Sequence, residues 1–532
     1  MAKEPGRKGR QDAEAVAERR AWEHGPLVVL ALALLAGAVL RLRTLGEAGL
    51  WTDELVSWWA ASSDSVGELL TRCADCMAIP PASLLLQHAS VGAFGKSEWA
   101  LRLPSALAGI AAILVVFLAG RRMFGAEAGA VAAAVLSIHP AHLWFSADAR
   151  PYALAVLLAA ASIWAFHELT RDGSWRNVIV YAGATAGLLH LQFVFLPLIG
   201  AQALAVFLGR RTGAPAWRRV GLAFAGAAVL SIPVLPQLLG VAARAGALAW
   251  PAKDEFPPGI YALLQSTPLL CSLAVVLILA LATGRDPLAV GGEEPRSSFD
   301  LLAVASQAFV PLLCLGLLAL RLSSLVKPRY YSVYLVPIVL LLGWALTRPA
   351  WIAGRRLGVA LFVGLILATQ VVPEMRAGRS FNRDVQGEDW RGAVRMVLEG
   401  RQPGDAVLVR SGLVESADFF RGSYPEICEP YLLAPLSDFY YSGEGKPTLL
   451  PSEFEGPPYP PAYSRRIGAA LEGVGRIWVV MLNPPNPTGY LRAAVGYIWE
   501  ATGRPFRPER SGSFGNVNVF LLTPDPGASP PR

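Results

Sequence analysis

The sequence predicts a polytopic α-helical membrane protein with a C-terminal extracytoplasmic α/β domain, and three observations predict it. The chain has 532 residues, of which 54% are hydrophobic and 16% charged, and its mean hydropathy is +0.42. That is too apolar for an ordinary soluble protein and far too long for a single anchor. Uncharged stretches long enough to cross a bilayer, which takes about 20 residues, recur along the first two thirds of the chain. After about residue 375 the pattern changes to amphipathic helices alternating with short apolar runs, which reads as a small α/β domain.

Taken in order, residues 1–24 are charged and read as a disordered cytoplasmic tail. The apolar run that follows lacks a small-residue cleavage site, so it reads as a retained helix and not a signal peptide. Spans are expected near 26–43, 103–120, 128–147, 151–168, 177–190, 191–209, 220–242, 257–284, 301–321, 331–347 and 357–374, about 11 transmembrane helices within a membrane domain at 25–375. Positive charge in short loops marks the cytoplasmic side. Arg121 and Arg122, Arg171 and Arg176, the Arg210–Arg219 group and Arg348, Arg355 and Arg356 then all fall inside. The same count puts a first outer loop at 44–100, "SADARPY" at 146–152, the loop near Arg244 to Pro258 and "VKPRYY" at 326–331 together on the outer face, with 376–532 outside too.

In that last part, strand-like runs are expected at 405–409, 476–482 and 516–522, helices near 464–474 and 489–501, and long loops between about 422 and 462. Trp390, Glu388, Asp389, Asp418 and the run "DFYYSGEG" read either as a surface for an acceptor glycan or as ordinary core and loop.

The net charge of +7 does not point to nucleic acid, because Lys and Arg form short clusters between apolar runs and not a basic face. No glycine-rich phosphate loop is present, which argues against a nucleotide-driven pump. Of the five cysteines, only Cys73 and Cys76 are close enough in sequence to pair, while Cys428 stands alone.

One stretch carries chemistry. In "AGLWTDELVS", Asp53 and Glu54 follow the first span, framed by tryptophans that suit the water–lipid boundary. Alone, the pair reads as solvated loop acids. The surrounding motifs change that: "LWTDE", a surface segment ending in "PP", "GKSEWALRLPSALAG", "RRMFG", "HPAHLWFSADARPYAL" and "KPRYYSVYLVP" resemble the glycosyltransferases of family 39 and their relatives in the GT-C superfamily, among them protein O-mannosyltransferases and the enzymes that put aminoarabinose on lipid A. The likeness is closest over residues 40–170 and returns at 326–340.

The resemblance implies a GT-C type fold in a bacterial inner (plasma) membrane, and transfer of a sugar, with inversion, from a polyprenyl-phosphate donor to an extracytoplasmic glycan, lipid or protein. It implies Asp53 as base, with Glu54 orienting it or binding a cation. Arg102, Arg150 and Arg329, with Lys327, are the expected partners of the donor phosphate, since guanidinium grips phosphate through paired hydrogen bonds. Tyr152, His190 and Tyr330 are expected to meet substrate. Asp148 with Asp53 is the pair that would hold a divalent metal cation in the relatives that use one. His139 and His142 read as interfacial histidines rather than ligands. The chain departs from the family in "AIPPAS", where Ile79 stands in place of a histidine that many relatives carry before the two prolines. The alternative from another class is a lipid or solute transporter or flippase without covalent chemistry, which calls for paired ionisable groups at mid-membrane depth.

Overall fold

The computed structural model describes residues 6–209, 217–243, 295–319, 328–347, 352–377, 381, 387–452, 461–484, 486–525 and 527. Helix α1 (Gly6–Leu42) is already helical in the stretch expected to be a disordered tail. A chain of shorter pieces follows: α2 (Thr52–Ala61) and α3 (Ala82–Phe94), then the long α4 (Glu98–Phe124). Next come α5 (Ala126–Ile138), α6 (Pro140–Ser146) and α7 (Tyr152–Arg171). After α8 (Trp175–Leu189), α9 (Leu196–Gly209) and α10 (Trp217–Leu230), the described bundle closes with α11 (Pro295–Ala319), α12 (Leu335–Thr347) and α13 (Ile352–Ile366).

The expected count of eleven spans is corrected. Among the described residues, 6 helices are long and apolar enough to cross a membrane, or up to 7 if one bent pair is a single span. The expected span at 128–147 is that pair, α5 and α6, bent by 62°. Pro140 causes the bend, since its ring and missing N–H stop α5 at Ile138. The spans expected at 177–190 and 191–209 are helices of 15 and 14 residues, below the length a bilayer asks for, while the one at 301–321 falls within α11 (Pro295–Ala319), whose described apolar part is Phe299–Leu315. The span expected at 257–284 lies outside the described residues.

The bundle core joins α4, α5, α7 and α12 through Ile113, Val116, Phe117, Val135, Val156 and Leu340. Helices α4 and α5 cross at Gly120 and Gly129, where a Cβ on Gly120 would sit 2.7 Å from the Gly129 Cα. Small residues at such crossings let backbones meet where lipid gives no hydrophobic drive to associate.

The C-terminal domain is a five-stranded mixed sheet: β1 (Ala406–Arg410), β2 (Thr448–Leu449), β3 (Ile477–Leu482), β4 (Phe506–Phe514) and β5 (Val517–Pro524), in the order β2-β1-β3-β5-β4. β1 lies parallel to both β2 and β3, with Leu408 opposite Val479, while β5 runs antiparallel to β3 and β4. Helices α14 (Trp390–Gly400), α15 (Pro461–Ala470) and α16 (Pro487–Thr502) accompany it, with shorter helical pieces at Glu415–Phe420 and Glu429–Leu432. The sequence reading has no counterpart for β4. Its residues "FRPERSGSF" are mostly exposed, with a register shift between Pro508 and Arg510, and an exposed edge strand carries no apolar alternation to detect.

The first loop and the α/β domain share one core. Leu50, Leu55, Trp58, Leu69, Leu84 and Leu101 cluster with Trp390, Val409, Leu432, Trp478 and Val519. A disulfide crosses the same seam, joining Cys76 to Cys428 with Cα atoms 5.3 Å apart. This corrects the expected pairing of Cys73 with Cys76. Cys73 is a buried thiol, pushed up to about 12 by that burial, and Cys428 is brought to Cys76 by tertiary packing across 352 residues of sequence.

Candidate active site

Helix α2 gives its two acids different surroundings because successive helical residues are rotated by about 100°. Glu54 points inward and is fully buried. Its Oε1 accepts from Arg102 Nε at 2.7 Å and its Oε2 from Arg102 Nη2 at 2.5 Å, the two-toothed geometry that makes such pairs strong. The Ala149 N–H also donates to Oε1 at 2.8 Å. The remaining donors of Arg102 go to the carbonyls of Leu45, Ala48 and Gly49. All five N–H groups of this guanidinium are engaged inside the loop, so Arg102 braces the scaffold and does not face the space around Asp53.

Asp53 points the other way, with its side chain 23% exposed. Arg329 Nη2 stands 3.2 Å from its Oδ2 and Arg150 Nη2 stands 3.7 Å from the same atom. Arg150 also donates from Nη1 to the Asp53 carbonyl and to Ser57 Oγ, each at 3.3 Å. Each arginine is held by its own element. Arg150 sits in the turn between α6 and α7, tied by Gln87 Nε2 donating to Ala149 O at 2.8 Å and by Ser105 Oγ donating to Arg150 O at 3.2 Å. Arg329 sits in a 3-10 turn at Pro328–Tyr334. Its guanidinium lies 5.1 Å from the Trp51 ring centre and 5.9 Å from that of Tyr330, within cation–π range. Trp51 Nε1 in turn donates to Asp148 Oδ1 at 3.1 Å.

Three of the four outer-face segments expected together therefore meet at Asp53, namely the 50s, 146–152 and the described part of 326–331; the loop near Arg244 to Pro258 lies outside the described residues. Tyr152 is buried with its ring 6.4 Å from that of Tyr330, flanking the arginines. Lys327 lies outside the described residues. His190 has other partners: its Nε2 is hydrogen-bonded to Leu230 O at 2.9 Å, and its carbonyl accepts from Ala82 N at 3.3 Å, so it supports the start of α3. Beside the cluster, Ser57, Ile79, Pro80, Ser83, Arg150 and Gln192 line a small cleft. Ile79 follows Ala78, which is left-handed at φ 51°, a conformation costly for a residue with a Cβ. Ile79 and Arg150 thus line the same cleft.

Two groups escaped the sequence reading. Arg41, fully inside the bundle, donates to Ser146 Oγ at 3.1 Å, Gly37 O at 3.0 Å and Ser137 O at 2.9 Å, and its Nη2 lies 2.7 Å from His142 Nδ1. It serves the carbonyls freed at the α5–α6 bend. His142 Nδ1 is taken by this contact, and a guanidinium beside it opposes any metal. Deep between α7 and α11, His167 Nδ1 and Asp300 Oδ1 lie 2.7 Å apart, both 3% exposed. A segregated buried pair of this kind was not expected in the bundle.

The acids and tyrosines read as either glycan surface or core resolve toward the seam. Trp390 is fully buried. Tyr440 Oη accepts from Leu50 N at 2.6 Å and donates to Glu98 Oε1 at 2.9 Å, while Asp438 Oδ1 accepts from Trp58 Nε1 at 2.9 Å. Glu388 Oε2 accepts from the Thr52 N–H at 2.8 Å and Thr52 Oγ1 at 2.6 Å. Burial raises the Glu388 carboxyl above its ordinary value, although the Thr52 hydrogen bonds pull it back.

The chain shares the fold of solved ArnT structures, and part of it matches a mannosyltransferase family model. Residues 79–239 match the family model described as dolichyl-phosphate-mannose-protein mannosyltransferase. Over 162 residues the chain is 26% identical to the putative mannosyltransferase YkcB of Bacillus subtilis (strain 168), a match that covers 27% of this chain and 21% of that protein. The chain thus spans about a fifth of the length of this curated relative. Among solved structures it is similar to ArnT from Cupriavidus metallidurans in the apo state, at a TM-score of 0.57 and 15% identity over 95% of this chain and 98% of that one. The same ArnT bound to undecaprenyl phosphate gives a TM-score of 0.55 at 15% identity, covering 94% and 98%. The resemblance read from the short motifs is borne out by the fold.

Proposed function

We propose that this protein is a membrane glycosyltransferase that moves a sugar from a polyprenyl-phosphate carrier to an acceptor on the side of the α/β domain, outside the inner membrane, with Asp53 as general base. The observation that carries the reading is the convergence of one part-exposed carboxylate with two guanidinium groups from separate elements, 3.2 and 3.7 Å away. A greasy donor keeps its phosphate at the bilayer boundary. On binding, the phosphate draws Arg150 and Arg329 from Asp53, so the same step seats the leaving group and frees the base. The acceptor hydroxyl gives its proton to Asp53 and its oxygen bonds the anomeric carbon. The bond to phosphate breaks on the opposite face, which inverts the centre, and the two arginines receive the departing charge. Tyr152 and Tyr330 flank that phosphate position. Glu54 and Arg102 act by holding α2, and His190 by holding α3.

Asp53 and Asp148 would be the residues to hold a divalent cation; with Arg150 and Arg329 facing Asp53 Oδ2 and Trp51 engaging Asp148 Oδ1, the resting arrangement sets like charge against one.

The transport reading draws on the buried His167–Asp300 pair alone. One experiment separates the two. Purified protein is incubated with radiolabelled polyprenyl-phosphate sugars and membrane extract, with EDTA and with added divalent cations, and compared with Asp53→Asn. Label passing into an acceptor, lost in the variant and indifferent to EDTA, is the expected result. Movement of intact lipid across vesicles with no new bond formed would favour transport.

A further inference from the structure

We infer that Glu388, a residue of the α/β domain, is a positioning residue for the acid–arginine cluster: it caps the helix that carries Asp53 and Glu54, so that the site is complete only when that domain is seated on the first loop. The inference rests on the glycosyltransfer reading for its kinetic consequence but not for its structural one.

Helix α2 begins without a cap of its own. Trp51 stands at the N-cap position in extended conformation, and it offers no side-chain hydrogen bond to the first turn. A helix start leaves N–H groups unpaired, and a carboxylate there satisfies them and opposes the helix dipole. Glu388 supplies that carboxylate from 336 residues away, taking both the N–H and the hydroxyl of Thr52 on Oε2. Trp390 Nε1 lies 3.0 Å from the same oxygen and from Thr52 Oγ1, which closes a three-membered knot.

The donor of the cap is itself rigid. Glu388 pairs with Gly515 in the turn between β4 and β5, Asn516 N donates to Gly387 O at 2.5 Å, and Asp389 N donates to Phe514 O at 3.2 Å. Trp390, two residues on, is fully buried in the core shared by the loop and the domain. The sheet therefore sets the position of Thr52, and Asp53 is the next residue.

The test uses the full-length protein in nanodiscs, with Glu388→Ala and Glu388→Gln. Hydrogen exchange of residues 51–57 is the first readout. Glu388→Ala should exchange there about 10-fold faster with 100–110 unchanged, whereas Glu388→Gln, which keeps an acceptor oxygen, should stay near wild type. The second readout is transfer from tritium-labelled undecaprenyl-phosphate mannose. Glu388→Ala should lose about 10- to 100-fold in kcat, the scale that a misplaced reacting group costs, with KM for the donor within about threefold and most of the rate restored in Glu388→Gln. Unchanged exchange at 51–57 in Glu388→Ala overturns the inference, as does loss of protection across the whole chain in both variants. If wild type transfers nothing from this donor while the exchange prediction holds, the positioning stands and the glycosyltransfer reading is what weakens.

Discussion

Two arginine clusters lie near the α6 segment, one at Arg41 and one at Asp53, and they differ in what answers the charge. Around Asp53, Arg150 and Arg329 face a carboxylate that is 23% exposed. Around Arg41, the guanidinium is surrounded by carbonyls, a hydroxyl and one histidine ring nitrogen, and Arg41 itself is 1% exposed. The first cluster has charge that an incoming anion can exchange with, a part-exposed carboxylate and a small cleft beside Arg150. The second has none of these; its hydrogen bonds complete the backbone at a 62° bend. A buried charge in a membrane protein marks chemistry when an exchangeable counter-charge and access come with it, and marks scaffold when only neutral acceptors do.

Substitutions can break that contrast. The largest effect is expected from Asp53→Asn, which should lower kcat by about 10²- to 10⁴-fold, the range of a general base, while the thermal unfolding midpoint stays near wild type. Next, Arg329→Ala should lower kcat/KM by about 10²-fold, with Arg329→Lys recovering only part because a point charge does not match the two-toothed grip of guanidinium; steady-state kinetics over donor concentration checks both. Glu54→Ala leaves the Arg102 guanidinium buried without its counter-ion and should cost about 3–5 kcal/mol of stability, read by chemical unfolding in detergent. It should lose activity only as fast as it loses folded protein. Arg41→Met is the sharpest discriminator: about 1–3 kcal/mol of stability for orphaned acceptors, with turnover per folded molecule within about threefold. Activity collapsing in Arg41→Met without loss of stability would erase the distinction between the clusters.

The smallest effect is in pH. The Glu388 carboxyl is raised in the folded protein above its ordinary 4.5, chiefly by burial. Its protonated form is thus favoured by folding. That contribution is fully present below about 4.5 and is lost as pH rises through the higher folded value. Glu388→Gln should flatten the fall in stability over that window, and unfolding midpoints at a series of pH values measure it.

The short motifs around Asp53, Arg150 and Arg329 picked out side chains that do meet, whereas placing them on one face by composition rested on eleven spans that the described helices do not bear out. What composition could not tell was how each side chain is used. Arg102 and Arg150 look alike in sequence, yet α4 turns one to Glu54 and the α6–α7 turn aims the other at Asp53. Span counting failed where a helix is cut by proline, as at Pro140, or is too short to cross, as in α8 and α9. The disulfide failed for a different reason: nearness in sequence favoured Cys73, whereas Cys428 arrives by the packing of a separate domain.

By itself the sequence determined which stretches are apolar and which are charged, since the preference of a side chain for water or lipid is a local property that sums along the chain; it did not determine how many of the apolar stretches form membrane-length helices. Only the tertiary structure decided the partners: which acid faces a cation, which cation is already consumed, and that a glutamate near residue 390 caps a helix near residue 52. Ion pairs and caps depend on distances of a few ångströms between groups hundreds of residues apart, and no periodicity in the chain encodes such a distance.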